Sequence, residues 1–478
     1  MSRQRRVVVL GGGIAGLAAA YRLSRSAPAL AVTLVEAGPR LGGKILTERP
    51  DGLVIEAGPD SFLSAKPAAT RLCEELGLGG ELVGTTESGG GTYILRDGRL
   101  EPLPEGISGL VPTRVRPLLR SGLLSPRAKL RLGLEVVVPA RRDEGDESVA
   151  AFVRRRFGGE AYERMAQPLL SGIYAGDAEQ LSLLATFPRL RESERTHGSL
   201  IRGMLAQRRA APKPPTGSAP PRSAFLSLAG GLGELTETLA GALDRVEVRS
   251  GVAATAVAWR GSGGWTLRLA NGDVLEADAL LLATPAWASA DLLQELSAPL
   301  AATLRQIPYT STATITAAYR STDIAGLGAG RGFVIPRVED RELTAVTWVT
   351  SKFPGRAPQG VALARGFVGR AGREAAVDLA DDDLVALVRR ELREILGLTA
   401  EPFLARVYRW PRALPQYTLG HLERVATIDR HVAQLPGLYL LGSAYRGVGI
   451  PDCIQSGSDA ATRALDHLDI EGAGGLAG

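Results

Sequence analysis

Arg5 to Leu17 read RRVVVLGGGIAGL, and this stretch decides the fold of the chain. Its valine-rich start is typical of a buried parallel strand, and the apolar run after the glycines predicts a helix. Gly11, Gly13 and Gly16 form the pattern G-x-G-x-x-G. Such glycines allow a tight turn, a close approach of a pyrophosphate to the backbone, and close packing of helix on strand, with free helix N–H groups facing the phosphates.

A second predicted strand, residues 31–35, ends in Glu36, which follows Gly16 by 20 residues (36 − 16). A carboxylate at this spacing can accept hydrogen bonds from both hydroxyls of an adenosine ribose. The glycine pattern alone would be weak in a chain with 58 glycines. Because the strand, glycine turn, helix, second strand and acid follow one another in order, we predict that this part of the chain binds a dinucleotide.

The composition sets broad limits on the protein. Its 478 residues suggest two or three domains, and 45% hydrophobic with 22% charged residues is ordinary for a globular protein. Cys73 and Cys453 are too few for a disulfide framework, so we expect a cytoplasmic protein. The four histidines lack ligand spacing, so no metal site is expected. Neither a signal peptide nor a membrane-spanning segment is predicted.

Positive charge is concentrated in the middle of the chain. Residues 101–222 contain 20 Lys and Arg against 13 Asp and Glu, a difference of +7, whereas the whole chain carries +5. Nucleic-acid binding is not expected, because no aromatic residues are interleaved with these arginines. Two interpretations stay open: a solvated helical face, or a surface that contacts a membrane peripherally or attracts an anionic substrate.

Five further motifs indicate which dinucleotide is bound. They are RLGGK at 40–44, GPDSF at 58–62, LLSGIYAGD at 169–177, PQYTLGH at 415–421 and GVGIPDCIQSG at 447–457. The first two add glycine turns that would close over a pyrophosphate, which favours a flavin that stays bound over a nicotinamide that must leave.

The RLGGK motif resembles the flavin amine oxidase superfamily. The other four resemble its FAD-dependent protoporphyrinogen and coproporphyrinogen III oxidases of haem synthesis. LLSGIYAGD and GIPDCI are most similar to the coproporphyrinogen enzymes of Gram-positive bacteria. The chain departs from the family at Gly198, which stands where an arginine or lysine usually follows the histidine.

This resemblance implies an α/β fold with α+β insertions. It consists of a Rossmann-type FAD-binding domain of the amine oxidase and p-hydroxybenzoate hydroxylase kind, a mixed-sheet substrate domain and a helical insertion. A proline-rich linker is expected as well. The expected bounds are 1–85, 223–290 and 404–478 for the FAD-binding domain, 86–104 and 291–403 for the substrate domain, 105–209 for the helical domain, and 210–222 for the linker.

The resemblance also implies the cofactor contacts, with FAD bound without a covalent link. The backbone contact to adenine would come from Ala254. The full set of implied contacts is Gly11, Gly12, Gly13, Ile14, Ala15, Gly16, Glu36, Ala37, Arg40, Gly43, Lys44, Gly58, Pro59, Asp60, Ser61, Ala254, Trp410, Val448, Gly449 and Ile450.

The reaction implied is a six-electron oxidation of a porphyrinogen in three flavin cycles. In each cycle a methylene bridge would give hydride to flavin N5, and dioxygen would become hydrogen peroxide. The residues expected to face the substrate are Lys66, Gly172, Arg331, Phe333 and Phe367. No side chain is expected to act as an acid or base, because the flavin carries the chemistry.

Two substrates compete within this resemblance. Coproporphyrinogen III has four propionates and protoporphyrinogen IX has two. Four carboxylates need more basic partners, so Lys66 and Arg331 favour coproporphyrinogen III, and protoporphyrinogen IX is the alternative.

Two other functions stay open on the sequence. One is a different FAD oxidase of the superfamily, such as an amine oxidase. The other is a non-catalytic partner protein that binds flavin and tetrapyrrole and delivers the latter. A docked ferrochelatase, a homodimer and a peripheral contact with the inner face of the membrane are further expectations that the sequence leaves open.

Overall fold

A computed structural model of the chain describes residues 4–86, 91–104, 106–108, 111–112, 115–210, 223–324 and 330–470. Apart from Ala210, the expected proline-rich linker lies outside these residues. The strands of the described residues are β1 (Arg6–Leu10), β2 (Ala31–Glu36), β3 (Thr47–Glu48), β4 (Ile55–Glu56), β5 (Phe62–Leu63), β6 (Leu82–Gly84), β7 (Thr92–Arg96), β8 (Arg99–Pro102), β9 (Ile107–Ser108), β10 (Val111–Pro112), β11 (Phe225–Leu228), β12 (Val246–Ser250), β13 (Ala254–Trp259), β14 (Trp265–Leu269), β15 (Val274–Ala277), β16 (Ala279–Leu282), β17 (Tyr309–Arg320), β18 (Gly332–Val334), β19 (Leu343–Trp348), β20 (Val361–Val368), β21 (Leu404–Pro415) and β22 (Leu438–Leu440).

Helices pack against the two larger sheets that these strands form. Those of the described residues are α1 (Ile14–Ser26), α2 (Pro67–Glu75), α3 (Val115–Arg120), α4 (Pro126–Gly133), α5 (Val149–Phe157), α6 (Gly159–Ala161), α7 (Gln167–Tyr174), α8 (Leu183–Thr186), α9 (Pro188–His197), α10 (Leu200–Ala210), α11 (Gly233–Gly241), α12 (Ala286–Leu293), α13 (Ala298–Arg305), α14 (Val349–Lys352), α15 (Asp381–Leu396), α16 (His421–Val432) and α17 (Ile450–His467).

The valine-rich strand β1 lies in the middle of a parallel sheet, whose order among the described residues is β12-β2-β1-β16-β22. Its side chains alternate between two buried faces. Val7 and Val9 pack in the cluster formed with α1, α11 and α17, whereas Val8 and Leu10 pack with α12, α13 and the β13-β14-β15 sheet. This confirms the predicted Rossmann-type domain, and explains why β1 is apolar from Val7 to Leu10.

The helix α17 packs directly on the first turn of α1. A Cβ at Gly457 would lie 2.3 Å from the carbonyl oxygen of Ala15, so no other residue allows the two helices to approach this closely. The C-terminal part of the chain is thereby brought onto the glycine-rich N-terminal turn.

A second sheet has the order β21-β17-β20-β19-β18-β7-β8 among the described residues. Its pairings are antiparallel except for β18 with β7, so it is the mixed sheet that the resemblance implies. The helix α15 packs on one face, where its Leu384 lies in an apolar cluster with Ile315 and Val368 of the sheet. The opposite face carries Thr314 and Arg365, which contact the first domain.

Two of the expected domain boundaries need correction. Residues 404–415 were expected in the FAD-binding domain, but they form β21, which pairs with β17 from Tyr309↔Pro415 to Ala318↔Leu404. Residues 291–305 were expected in the substrate domain, but α12 and α13 bury apolar side chains against Leu280 and Leu282 of the first sheet. In both cases the packing partner is distant in sequence, so local pattern gave no sign of it.

The middle of the chain forms the expected helical unit around one apolar cluster, which includes Phe152, Phe157 and Leu170. Its centre also contains a buried ion pair, in which Arg156 Nε donates to Glu135 Oε1 at 2.8 Å. Within the LLSGIYAGD motif, α7 continues to Tyr174 and ends at Ala175, which has a φ of +46°. The helix persists because Leu170 is buried in this cluster.

None of the helices in the described parts of the chain is long and apolar enough to cross a membrane.

Candidate active site

The glycine turn between β1 and α1 is closed by contacts that admit no side chain. Gly11 has a φ of +104°, and a Cβ there would lie 2.9 Å from the carbonyl oxygen of Ala283. A Cβ at Gly16 would lie 1.9 Å from the carbonyl oxygen of Gly11. A Cβ at Gly13, by contrast, would meet only the Cα of Gly43, at 4.0 Å. Gly11 and Gly16 therefore serve the fold, whereas Gly13 leaves open space where a ligand can approach the backbone.

The N-terminus of α1 opens onto that space. Gly13 is its N-cap residue, with extended backbone and no side chain to cap the helix. The first N–H that bonds within the helix is that of Leu17, which donates to Gly13 O at 2.9 Å. The N–H groups of Ile14, Ala15 and Gly16 therefore have no partner within the helix, and together with the helix dipole they favour a phosphate.

Glu36 stands at the end of β2, beside the same turn. Its Oε2 accepts from the Gly12 N–H at 2.6 Å, and its Oε1 accepts from the Gly38 N–H at 2.7 Å. These two bonds orient the carboxylate, and each oxygen keeps a further lone pair for a ribose hydroxyl. The segment leading to Ala254 passes beside it, because the Val252 N–H donates to Glu36 O at 3.2 Å.

The RLGGK segment interlocks with the first glycine turn through the backbone. The Gly42 N–H donates to Gly12 O at 2.8 Å, and a Cβ at Gly43 would lie 2.9 Å from the Cα of Gly13. Arg40 folds back and donates to the carbonyl oxygens of Gly43 and Ile45. Burial lowers the pKa of the Arg40 guanidinium. The two turns thus form the two sides of a single cradle.

Lys44 connects this cradle to the second sheet. Its ammonium donates to the carbonyl oxygen of Ala413, at the end of β21, and burial lowers the pKa of Lys44. A Cβ at Gly58 would lie 1.9 Å from the carbonyl oxygen of Lys44. The GPDSF loop therefore passes in direct contact with the RLGGK segment, and only glycine fits at position 58.

The GPDSF loop is held at its start by the second sheet. The carbonyl oxygen of Ala57 accepts three hydrogen bonds, from Thr314 Oγ1 at 2.9 Å, Trp410 Nε1 at 2.8 Å and Arg365 Nη2 at 3.3 Å. Arg365 also donates to the carbonyl oxygen of Gly58. Trp410, expected to contact the cofactor, thus has its indole N–H committed to this loop.

Asp60 is the charged residue of the GPDSF loop. It forms an ion pair with Lys352 and accepts from Ser61 Oγ at 2.7 Å. Burial alone would raise the pKa of Asp60, but the charges of Lys352 and Arg365 outweigh it and hold the pKa below its usual range. Burial lowers the pKa of Arg365, which has an unpartnered Nε among the described residues.

The loop before α17 is ordered by Tyr417 and Asp452. The Gly447 N–H donates to the Tyr417 hydroxyl at 2.7 Å, and the Gly449 N–H donates to Asp452 Oδ2 at 3.3 Å. Gly449 is the N-cap residue of α17 and has extended backbone. Val448, Gly449 and Ile450 therefore form a second helix N-terminus, as the sequence indicates.

The five residues expected to face the substrate differ in their contacts and in their exposure. Lys66 forms an ion pair with Asp452, at 2.7 Å to both oxygens. Arg331 Nη2 donates to Thr86 O at 3.1 Å. Gly172 is exposed on α7, and Phe367 is partly exposed beneath Arg365, whose guanidinium carbon lies 4.8 Å from the ring centroid.

Phe333 does not share that position. It is 1% exposed and packs 6.1 Å from the ring of Trp348, in the apolar cluster that includes α15. Phe333 therefore presents no surface to a substrate in this structure, and the expectation is corrected. Its apolar character reflects the core of the second sheet.

Sequence reasoning missed three residues that organise the site. Thr314, Lys352 and Arg365 hold the GPDSF loop from the second sheet and from α14. They lie in ordinary strand or helix contexts, so no local motif could have found them. Their role follows only from the contact between the two sheets.

The observed groups fit FAD. The open backbone at Gly13, the free N–H groups of α1 and the rigid carboxylate of Glu36 suit a pyrophosphate and a ribose in sequence. Within the described residues, no group of three His, Cys, Asp or Glu side chains could hold a metal ion. The individual cofactor and substrate contacts remain predictions.

Comparison with known proteins agrees with this site. Residues 14–465 match the model of the family described as flavin containing amine oxidoreductase. The chain is 39% identical to coproporphyrinogen III oxidase of Bacillus subtilis over 97% of this chain and 99% of that protein. It is 33% identical to human protoporphyrinogen oxidase over 96% and 98% of the two chains. A crystal structure from Exiguobacterium sp. 255-15 superposes with a TM-score of 0.85 and 37% identity over 98% and 99%.

Proposed function

This chain belongs to the flavin-containing amine oxidoreductase family, and on that basis we propose that it oxidises coproporphyrinogen III to coproporphyrin III in haem biosynthesis. It is an FAD-dependent oxidoreductase. The observation that carries the substrate assignment is the 39% identity, over nearly the full length of both chains, to a coproporphyrinogen III oxidase.

The reaction removes six electrons and six protons from the macrocycle and transfers them to three molecules of dioxygen, which become three molecules of hydrogen peroxide. FAD, when bound, supplies the two-electron oxidation chemistry. The protein's own part is to position the cofactor and the substrate and to exclude water.

The described contacts support a division of these tasks among particular residues. The turns at Gly13 and Gly43 and the carboxylate of Glu36 would hold the dinucleotide part of FAD. The GPDSF loop, held by Arg365 and by the ion pair of Asp60 with Lys352, would form a rigid wall beside its reactive part.

The test measures how many molecules of hydrogen peroxide form for each molecule of porphyrin. Purified protein with FAD is supplied aerobically with coproporphyrinogen III, and coproporphyrin fluorescence and peroxide are both followed. The proposal predicts about three peroxides for each porphyrin formed. Peroxide formation from polyamines or aromatic amines, without porphyrin, would make the protein an amine oxidase. Binding of porphyrin and FAD without peroxide would make it a non-catalytic partner protein.

Protoporphyrinogen IX is the second candidate substrate. The identity of 33% to human protoporphyrinogen oxidase, over nearly the full length of both chains, favours it. It would use the same site and the same electron balance, with two carboxylates to recognise in place of four. Comparison of the two substrates is therefore decisive between these candidates.

We also propose that the helical unit contacts the inner face of a membrane peripherally. Several of its large apolar side chains are exposed, and the same stretch carries the excess of positive charge. Such a surface suits an anionic lipid headgroup layer. The exposed side chains are Leu119, Leu130, Leu134, Val137 and Leu205.

The remaining expectations concern location and assembly. We propose a cytoplasmic location, which the buried and unpaired Cys73 and Cys453 support. A ferrochelatase that takes up the product, and a homodimer, remain proposals to be tested by co-sedimentation and by measurement of the molecular mass in solution.

A further inference from the structure

A nearly buried arginine lies in the turn that follows β20. Arg370 is 4% exposed and opens a turn closed by the Arg373 N–H, which donates to Arg370 O at 2.8 Å. The Ala371 N–H donates to Ala175 O at 2.7 Å, so this turn lies against the end of α7. The turn therefore belongs to the space between α7 and the second sheet.

The carboxylates around this turn are bound to other arginines. Arg373 forms ion pairs with Asp340 at 2.7 Å and with Glu342 at 3.2 Å. Arg337 forms an ion pair with Asp177 at 3.2 Å. Each of these carboxylates thus has a closer cationic partner than Arg370.

Arg370 itself has no ion pair within 4.0 Å, and no side-chain hydrogen bond, to any residue that the structure describes. Burial lowers the pKa of its guanidinium, and the charges of Arg337 and Arg373 lower it further. Glu342 and Asp340 act on Arg370 from beyond ion-pair distance, so of the three arginines here Arg370 is the one without a directly bound carboxylate. A guanidinium so placed favours an anionic ligand.

Arg337 contributes a second unpartnered donor at the same place. Its Nη2 donates to the carbonyl oxygens of Gly176 at 3.3 Å and Ala371 at 3.1 Å, which places it between the end of α7 and the turn of Arg370. Its Nε is buried and has no partner among the described residues. The neighbouring guanidinium groups of Arg337 and Arg370 thus both have N–H groups available to donate to a ligand.

The strand β20 connects this place with the cofactor site. Arg365 contacts the GPDSF loop, Phe367 lies partly exposed beneath Arg365, and Arg370 follows where the strand ends. Phe367 and Arg370 are three residues apart, which is about 10 Å along an extended chain, so a flat substrate of that size lying against Phe367 has peripheral groups within reach of Arg370.

We propose that Arg370 and Arg337 bind one propionate carboxylate of the substrate, and that Arg370 thereby favours a porphyrinogen with four carboxylates over one with two. The inference rests on the proposed function and adds the residue that recognises the substrate class. A guanidinium donates two parallel hydrogen bonds to a carboxylate, and such charge-assisted bonds are strong where water is excluded.

The test compares Arg370→Gln and Arg370→Lys with the control Arg320→Gln, which removes an exposed arginine at the end of β17. The readouts are KM and kcat for coproporphyrinogen III and protoporphyrinogen IX, and the Kd of coproporphyrin III from fluorescence titration. In Arg370→Gln, KM and Kd for the tetracarboxylates should rise about tenfold, with kcat nearly unchanged. KM for protoporphyrinogen IX should rise less than about threefold. Arg320→Gln should resemble the wild type.

Two outcomes would overturn the inference: unchanged constants in both Arg370 variants, or an equal loss for the two substrates, which would mean a merely structural role. If Arg370→Gln does not fold, Arg370→Lys decides. It keeps the charge and loses the planar fork, so a KM equal to that of the wild type refutes the bidentate carboxylate binding proposed for this residue. A wild-type protein that neither oxidises nor binds these tetrapyrroles would instead refute the proposed function.

Discussion

The Lys352 ammonium donates to both carboxylate oxygens of Asp60, at 2.9 and 2.7 Å, although 292 positions separate the two residues. Lys352 ends α14, next to the second sheet, and Asp60 lies in the GPDSF loop of the FAD-binding domain. Their contact joins the two domains beside the cofactor site. The geometry of that site therefore depends on a pair that neither domain forms alone.

Replacement of Lys352 by Met should destabilise the holoprotein by about 2–3 kcal/mol, because it leaves the Asp60 carboxylate largely buried and without its ion-pair partner. FAD affinity should fall as well, since the loop loses its support. Urea unfolding and FAD titration measure the two effects. Lys66→Met, which breaks a more exposed pair, is the control and should cost less than about 1 kcal/mol. Equal losses in the two variants would contradict this account.

Two glycines of the N-terminal turn should separate folding from cofactor binding. In Gly16→Ala the new Cβ would lie 1.9 Å from the carbonyl oxygen of Gly11, so the apoprotein should lose about 3 kcal/mol of stability or fail to fold. In Gly13→Ala the Cβ enters open space and the backbone is compatible with alanine. That variant should keep the thermal stability of the apoprotein and lose FAD affinity. Normal FAD binding by Gly13→Ala would show that the pyrophosphate does not lie there.

The buried His421 should make the protein sensitive to mild acid. Its Nε2 lies 2.9 Å from Tyr445 O, and its ring stacks on Tyr417 at 4.0 Å. Burial lowers the pKa of His421 from 6.5 to about 4. Its contribution to stability is complete above pH 6.5, where the folded and unfolded states are both neutral, and it is lost as the pH falls toward 4, because only the unfolded state then takes up the proton.

In that window the free energy of unfolding should fall by about 1.4 kcal/mol per pH unit. Asp60, whose pKa is held low, acts in the same direction at lower pH. Urea unfolding between about pH 7 and about pH 4.5 measures the slope. His421→Gln should flatten it, whereas the control His467→Gln, an exposed position, should not. If the slope of the free energy of unfolding against pH is unchanged in His421→Gln, another group causes the acid sensitivity.

Substrate binding should depend on Lys66 and Arg331. Alanine at either position should raise KM for coproporphyrinogen III by about threefold to tenfold, because a cation near the propionates is lost. For Lys66 this requires that the ammonium exchange Asp452 for a propionate when substrate binds. Steady-state kinetics check it, with the exposed Arg268→Ala as the control. Unchanged KM in both variants would show that neither residue contributes to substrate binding.

The parts of the fold that depend on local chemistry could be predicted from the sequence. The strand, glycine turn and helix at the start of the chain lie in the expected order, and Glu36 ends β2 as expected. These elements are determined by short-range sterics and periodicity. The position of Glu36, the acid expected to bind the ribose, could be predicted for the same reason, since its distance from the turn is set by one strand and one helix.

What the sequence could not reveal depends on contacts between distant segments. Nothing around Lys352 or Arg365 indicates that they hold the GPDSF loop, because their partners are about 300 positions away. Phe333 carried an expectation of substrate contact, yet one face of its strand is core and only the tertiary packing decides which face. Residues 404–415 were assigned to the wrong domain for the same reason.

The central claim is tested most directly by giving the purified yellow protein each porphyrinogen separately, in air, and following porphyrin fluorescence. The account predicts a higher kcat/KM for coproporphyrinogen III than for protoporphyrinogen IX. Faster formation of protoporphyrin would contradict the substrate assignment, although the assignments of fold and cofactor would still hold. Formation of neither porphyrin, by a protein that holds FAD, would contradict the proposed function as a whole.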